Sequence, residues 1–134
     1  MVPSKTFASG FGAFHREKFL ELGGYDRSYL PGIMEDADLC LKAQHAGYAL
    51  YYEPKSVVYH MGQASFKKAF SYLKREILAY RNTFLFMWKN FRGIRFWAEH
   101  LFFLPFRMVW MLLKGRWGFV IGFFEALARL GQRR

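Results

Sequence analysis

Charge and aromatic side chains are divided unevenly along the 134 residues of this chain. Residues 1–65 carry six Lys or Arg and seven Asp or Glu, a net −1. Residues 66–134 carry fourteen and three, a net +11, together with 18 of the 28 aromatic residues. Such a distribution describes two pieces with different tasks, joined near Ser65: a balanced piece at 1–65 and a basic, ring-rich piece at 66–134. The length allows at most one ordinary domain. With 53% hydrophobic residues the chain is no disordered tail.

Cys40 is the single cysteine, which excludes an internal disulfide and a multi-cysteine zinc site, fits a reducing compartment, and reads as a small buried apolar side chain. The first nine residues lack a charged segment followed by a long apolar run, so no signal peptide is expected. The most apolar stretch, residues 101–113, is interrupted by Pro105 and Arg107 and preceded by Glu99 and His100. It falls short of the ~18 to 20 apolar residues a bilayer crossing needs, and a transmembrane helix is not expected.

In the first piece, residues 6–14 (TFASGFGAF) alternate bulky and small side chains. This is a strand pattern whose glycines, Gly10 and Gly12, admit either a ligand or a neighbouring backbone. Residues 16–22 form a short helix stopped by Gly23-Gly24, and residues 25–34 a loop with Pro31-Gly32. Residues 35–46 (EDADLCLKAQHA) open with acids, repeat apolar residues at helical spacing and close on Gly47, which predicts a helix. Asp36, Leu39, Cys40, Ala43 and Ala46 share one stripe, while Asp38 lines up with Lys42 and His45 on a wetter face. Asp36 therefore heads the stripe expected to face inward. Acids in a first turn also cap free N–H groups and complement the helix dipole, at about 0.3–1 kcal/mol each. Residues 48–53 and 56–60 read as two short strands around Pro54, and His60 stands at the end of the second. By itself such a histidine is either a hydrogen-bonded structural residue or a ligand-facing one, since ligands of open α/β sheets bind beyond the strand ends.

Taken in order, the Gly-rich strand leading to Arg16, Gly23-Gly24-Tyr25-Asp26, Glu35-Asp36-x-Asp38-Leu39, Ala46-Gly47-Tyr48, Pro54 and His60 resemble the latter part of a glycosyltransferase family 2 catalytic domain, rhamnosyltransferase-like in type. The resemblance covers about residues 9–65. It implies an α/β fold: a partial GT-A sheet-helix unit at 1–65, followed by an all-α amphipathic region at 66–134. It also implies an inverting transfer of a sugar from a nucleoside-diphosphate donor to a glycan or lipid-linked acceptor hydroxyl, in cell-surface polysaccharide synthesis. That displacement needs a carboxylate to accept the hydroxyl proton and positive charge on the leaving diphosphate. By motif position Asp36 is the base. Glu35, Asp38, Tyr25, Asp26, Gly10 and Gly12 shape the substrate site, and His60 helps hold a divalent metal, Mg or Mn. The nucleotide-binding half and its Asp-x-Asp metal motif are not in these residues; Asp36-Ala37-Asp38 lies in the wrong place to be that motif. A separate N-terminal donor-binding half is therefore an expected partner, and the 134 residues alone are expected to turn over little or not at all.

In the second piece Phe66, Phe70, Leu73, Ile77, Tyr80, Phe84 and Met87 recur at helical spacing, predicting an amphipathic helix over 66–89 with Lys67, Lys68, Lys74, Arg75 and Arg81 off its apolar stripe. Beyond Phe91 the chain is strongly apolar, and Trp97, Trp110 and Trp117, with Trp88 just before it, stand among Arg92, Arg95, Arg107, Lys114 and Arg116. That is the composition of helices lying at an anionic membrane surface, here the cytoplasmic face, with a last helix at 118–130. The +10 charge also raises nucleic-acid binding, but the apolar background and the lack of a recognition motif make no nucleic acid the expected outcome. The contrasting possibility is a non-enzymatic membrane-surface module.

Overall fold

The computed structural model describes residues 2–3, 12–59, 61 and 64–131. The chain divides into two compact units, Met1–Gly62 and Gln63–Arg134.

The first unit holds β1 (Val2–Pro3), α1 (Arg16–Glu21), a 3₁₀ turn (Arg27–Tyr29), α2 (Glu35–His45) and β2 (Tyr51–Tyr52). Strands β1 and β2 pair antiparallel, Val2 opposite Tyr52 and Pro3 opposite Tyr51. The glycines end the helices as their spacing predicts. Gly23 (φ +79°) and Gly24 (φ +64°) follow α1, with the Gly24 N–H donating to the Phe19 carbonyl at 2.9 Å and the Gly23 N–H to Leu20 at 3.0 Å. Gly47 (φ +82°) closes α2 in the same way, Tyr48 N–H reaching the Ala43 carbonyl at 2.9 Å. Only glycine takes these left-handed positions without a Cβ penalty, and both arrangements satisfy carbonyls the helix leaves open.

A GT-A sheet is not shown among the described residues. The strand expected at 6–14 lies mostly outside them, and residues 12–15 are irregular; 48–53 yields only the two-residue β2, and 56–59 runs without a ladder. A short strand holds its conformation through hydrogen bonds to neighbours, and no neighbour of 56–59 is found among the described residues.

The second unit is all-α: α3 (Ala64–Ala69), α4 (Tyr72–Asn90), α5 (Ile94–Leu113) and α6 (Trp117–Gly131). The single helix expected over 66–89 is broken at Ser71, whose Oγ accepts from the Lys74 N–H at 3.3 Å and caps α4. The core is α4 against α6. Gly118, Gly122 and Ala126, spaced four apart, are buried on one face of α6, so the two backbones approach closely. The Phe119 ring then meets Tyr80 (5.0 Å between centroids) and Phe84 (5.2 Å), and Phe123 meets Phe84 (5.4 Å) and Trp88 (5.7 Å). Arg81, placed off the apolar stripe by its spacing, is buried rather than solvated. Its guanidinium lies 3.6 Å from Glu125 of α6, which Lys74 also meets at 3.2 Å, and burial lowers its pKa from the ordinary arginine value. The neighbouring helix brings the carboxylate to it, which single-helix periodicity cannot show. Glu76, also buried, pairs with Arg116 and accepts the Gly118 N–H at 3.1 Å, holding the start of α6.

Pro105 does not interrupt α5, which runs unbroken for 20 residues. Proline removes one backbone donor, and the leucines, phenylalanines and methionines around it carry the helix through. The apolar run expected to be too short is thus part of a helix that is long and apolar enough to cross a bilayer by length and composition, with a mean hydropathy of 1.2 over 18 residues. After α5, Gly115 (φ +69°) makes the third glycine cap, Arg116 N–H reaching the Met111 carbonyl at 2.8 Å, and α6 begins at once.

Candidate functional site

The site is assembled between α1 and the start of α2. A Cβ at Gly24 would stand 3.1 Å from the Phe19 ring, so glycine here lets that ring pack beneath the turn. Phe19 in turn meets Tyr25 edge-on at 5.3 Å, and Phe14 joins both at 5.8 and 6.2 Å. The Asp26 carboxylate accepts the Ser28 N–H at 2.8 Å and caps the 3₁₀ turn, which swings Tyr29 inward to complete burial. The chain then passes through Gly32, Ile33 and Met34 with positive φ at all three, the last two at +78°. For a β-branched residue such as Ile33 this region costs about 1–3 kcal/mol, and strain of this kind collects at working sites. Directly after it, α2 opens with Glu35 and Asp36.

These elements enclose a cleft of about 380 Å³ whose walls include Tyr25, Asp26, Arg27, Tyr29, Pro31 and Glu35. Three residues singled out from sequence, Tyr25, Asp26 and Glu35, are thus brought to one place. The Tyr25 hydroxyl is pushed above its usual pKa by partial burial first, then by the charges of Asp36 and Glu35; Asp36 itself follows Glu35 at the start of α2 and is not one of the residues lining the cleft. Asp36 is half-buried; one of its oxygens accepts the Ala37 N–H at 2.8 Å, and the other has no partner among the described residues. One Glu35 oxygen is likewise buried without a hydrogen bond among the described residues.

The face assignment on α2 needs correcting. Leu39, Cys40 and Ala43 are buried as expected, but Asp38, placed on the wetter face, is fully buried, while Asp36 is only partly covered and Ala46 is exposed. Asp38 accepts from the Tyr29 hydroxyl at 3.0 Å and pairs with Lys42 at 3.1 Å, so the 3₁₀ turn covers a face that periodicity alone assigns to water. Asp36 sits at the first turn, where side chains lean back past the helix end and beyond the residues that would cover them. Gly12 is exposed and is not part of the cleft wall; Gly10 and His60 lie outside the described residues.

Sequence reading missed Arg27, Tyr29 and Pro31. The available signals were Asp26 two residues before Ser28, which marks a capped turn, and the Pro31-Gly32 pair. Among the described residues no three His, Cys, Asp or Glu side chains are grouped to hold a metal ion, and Asp38 is committed to Tyr29 and Lys42. Comparison with protein-family models, with curated proteins and with solved structures finds no match to this chain.

Proposed function

We propose that the first unit is the acceptor-side part of an inverting glycosyltransferase of GT-A type. It takes a sugar from a nucleoside-diphosphate donor, bound by protein outside these 134 residues, to a glycan or lipid-linked acceptor hydroxyl in cell-surface polysaccharide synthesis. The second unit holds it at the cytoplasmic face of the membrane. The observation that carries the reading is the cleft: the motif order singles out Tyr25, Asp26, Glu35 and Asp36, and the first three line one cleft, with the fourth next along the chain from Glu35 at the start of α2.

The chemistry follows from what each group offers. The Asp36 oxygen that has no partner among the described residues accepts the proton of an acceptor hydroxyl as the hydroxyl oxygen attacks the sugar. Glu35, one of whose oxygens has no hydrogen-bond partner among the described residues, takes a hydrogen bond from a neighbouring hydroxyl. The Tyr25 ring, 43% exposed and braced by Phe19, offers a flat apolar face to a sugar ring. Asp38 serves by fixing Tyr29 against α2. The described residues do not fit a metal site, so no step here runs through one; in this reading a divalent cation belongs to the donor-binding part. Tyr51, Tyr52, Val57, Val58 and Tyr59 are all more than half exposed, which accords with a sheet completed by another part.

The test is sugar transfer by the chain together with its donor-binding part. Asp36→Asn is expected to lower the rate by about 10² to 10⁴ while leaving the folded state intact by circular dichroism. Unchanged transfer would refute the assignment. A second reading, a membrane-surface module without catalysis, is favoured by the uncovered apolar faces of α5 and α6; it predicts that Asp36→Asn alters nothing while membrane binding persists.

A further inference from the structure

Helices α5 and α6 leave large apolar surfaces without a cover inside their own unit. In α6 the residues turned to α4 are Gly118, Phe119, Gly122 and Ala126, and the opposite side exposes Trp117, Ile121 and Phe124. In α5 Leu104 is buried and His100 meets the Phe84 and Trp88 rings of α4, whereas Phe102, Phe106, Val109, Trp110 and Leu113 on the other side are each more than half exposed. Between Pro105, Phe106 and Leu113 lies a shallow apolar groove of about 330 Å³.

The charges beside this surface say what covers it. Arg107 and Lys114 are seven residues apart, about two helical turns, and so lie along one edge of the apolar face. Neither has a carboxylate within ion-pair distance among the described residues, and the Lys114 ammonium rests 4.8 Å above the Trp110 ring, an apolar body with its charge at the rim. A second copy would bring the same cationic edge, on a region of net +11, against itself, so like charges oppose pairing. An anionic lipid surface meets both properties. Arg107 also decides orientation: in a helix crossing the bilayer it would lie about 9 Å inside the C-terminal end, deep among acyl chains. In a helix lying flat, Arg107 and Lys114 reach the same headgroup layer.

We infer that α5 and α6 lie in the plane of an anionic phospholipid leaflet, with Phe106, Trp110, Leu113, Trp117 and Phe124 among the acyl chains and Arg107 and Lys114 on lipid phosphates. This rests on the membrane-surface part of the proposed function and is independent of sugar transfer.

The test mixes the full chain with phosphatidylcholine vesicles, with or without phosphatidylglycerol, carrying acyl chains brominated either near the headgroup or near the bilayer centre. The chain is expected to float with the anionic vesicles, and its tryptophan emission to be quenched more by the shallow bromines. The quenching should largely vanish in Trp110→Phe/Trp117→Phe and survive in Trp88→Phe/Trp97→Phe. Arg107→Gln with Lys114→Gln should weaken partitioning about thirtyfold. Stronger quenching by the deep bromines, as in a spanning helix, would overturn the inference. So would quenching that survives loss of Trp110 and Trp117, or a lipid-free dimer that buries those two rings. Flotation with the wrong tryptophan pattern defeats this inference alone, whereas absence of flotation defeats the membrane-surface reading beneath it.

Discussion

Replacing Gly122 by alanine should destabilise the second unit although alanine is the better helix former. A Cβ at position 122 would stand 2.8 Å from the Ile77 carbonyl oxygen, 2.9 Å from the Arg81 nitrogen and 3.1 Å from the Tyr80 Cβ, where ordinary contact begins at 3.4 Å. The first two atoms are backbone of α4 and do not swing aside, so the helices must part by about half an ångström, in a core packed as tightly as an organic crystal. Overpacking of this kind costs about 1–3 kcal/mol, and the parted interface loosens the Phe119 and Phe123 rings on Tyr80 and Phe84, worth about 0.5–1.5 kcal/mol a pair. Against this stands a gain of about 1 kcal/mol in helix propensity. The net expectation is a loss of about 1–3 kcal/mol, read as a lower urea midpoint at 222 nm with weaker near-ultraviolet dichroism from the aromatic cluster. Gly131→Ala is the control: nothing among the described residues lies within 4 Å of its added Cβ, so stability should hold or rise slightly. A Gly122→Ala chain as stable as Gly131→Ala would refute the close-approach argument.

Two further outcomes can be measured on the same chain. The Trp88 indole N–H donates to His100 Nε2 at 3.0 Å, which requires that nitrogen unprotonated, and burial followed by the Arg107 charge depresses the His100 pKa below its ordinary 6.5. The folded state then binds this proton less readily than the unfolded one, so the stabilisation is present above pH 6.5 and is lost as pH falls through the folded value. His100→Phe should flatten that part of the pH–stability curve, and an unchanged curve counts against the bond. Tyr29→Phe removes one donor to buried Asp38, which keeps its pairing with Lys42, and should cost about 1–3 kcal/mol; a loss below the error of denaturant titration would show the bond to be dispensable.

What could be read along the chain was local. The glycine caps after α1 and α2 follow from residues within five positions of one another, as does the helix 35–46. The ring-rich basic region was legible because composition alone marks it. Asp38 and Arg81 show the limit: both occupy positions that helical periodicity gives to solvent, and both are buried because another element, the 3₁₀ turn in one case and α6 in the other, supplies a partner. Pro105 shows it too, since the cost of one missing donor is decided by how well the rest of a 20-residue helix holds.

The sequence by itself determined the division into a balanced and a basic part, the ends of the helices and the identity of the acids at the start of α2, because each depends on side-chain chemistry over a few residues. Only the tertiary structure decided that Tyr25, Asp26 and Glu35 share a cleft, that Asp38 is buried while Asp36 is only partly covered, and which side of α5 is left bare. Burial belongs to pairs of surfaces, and a surface acquires its partner only when distant segments pack against it.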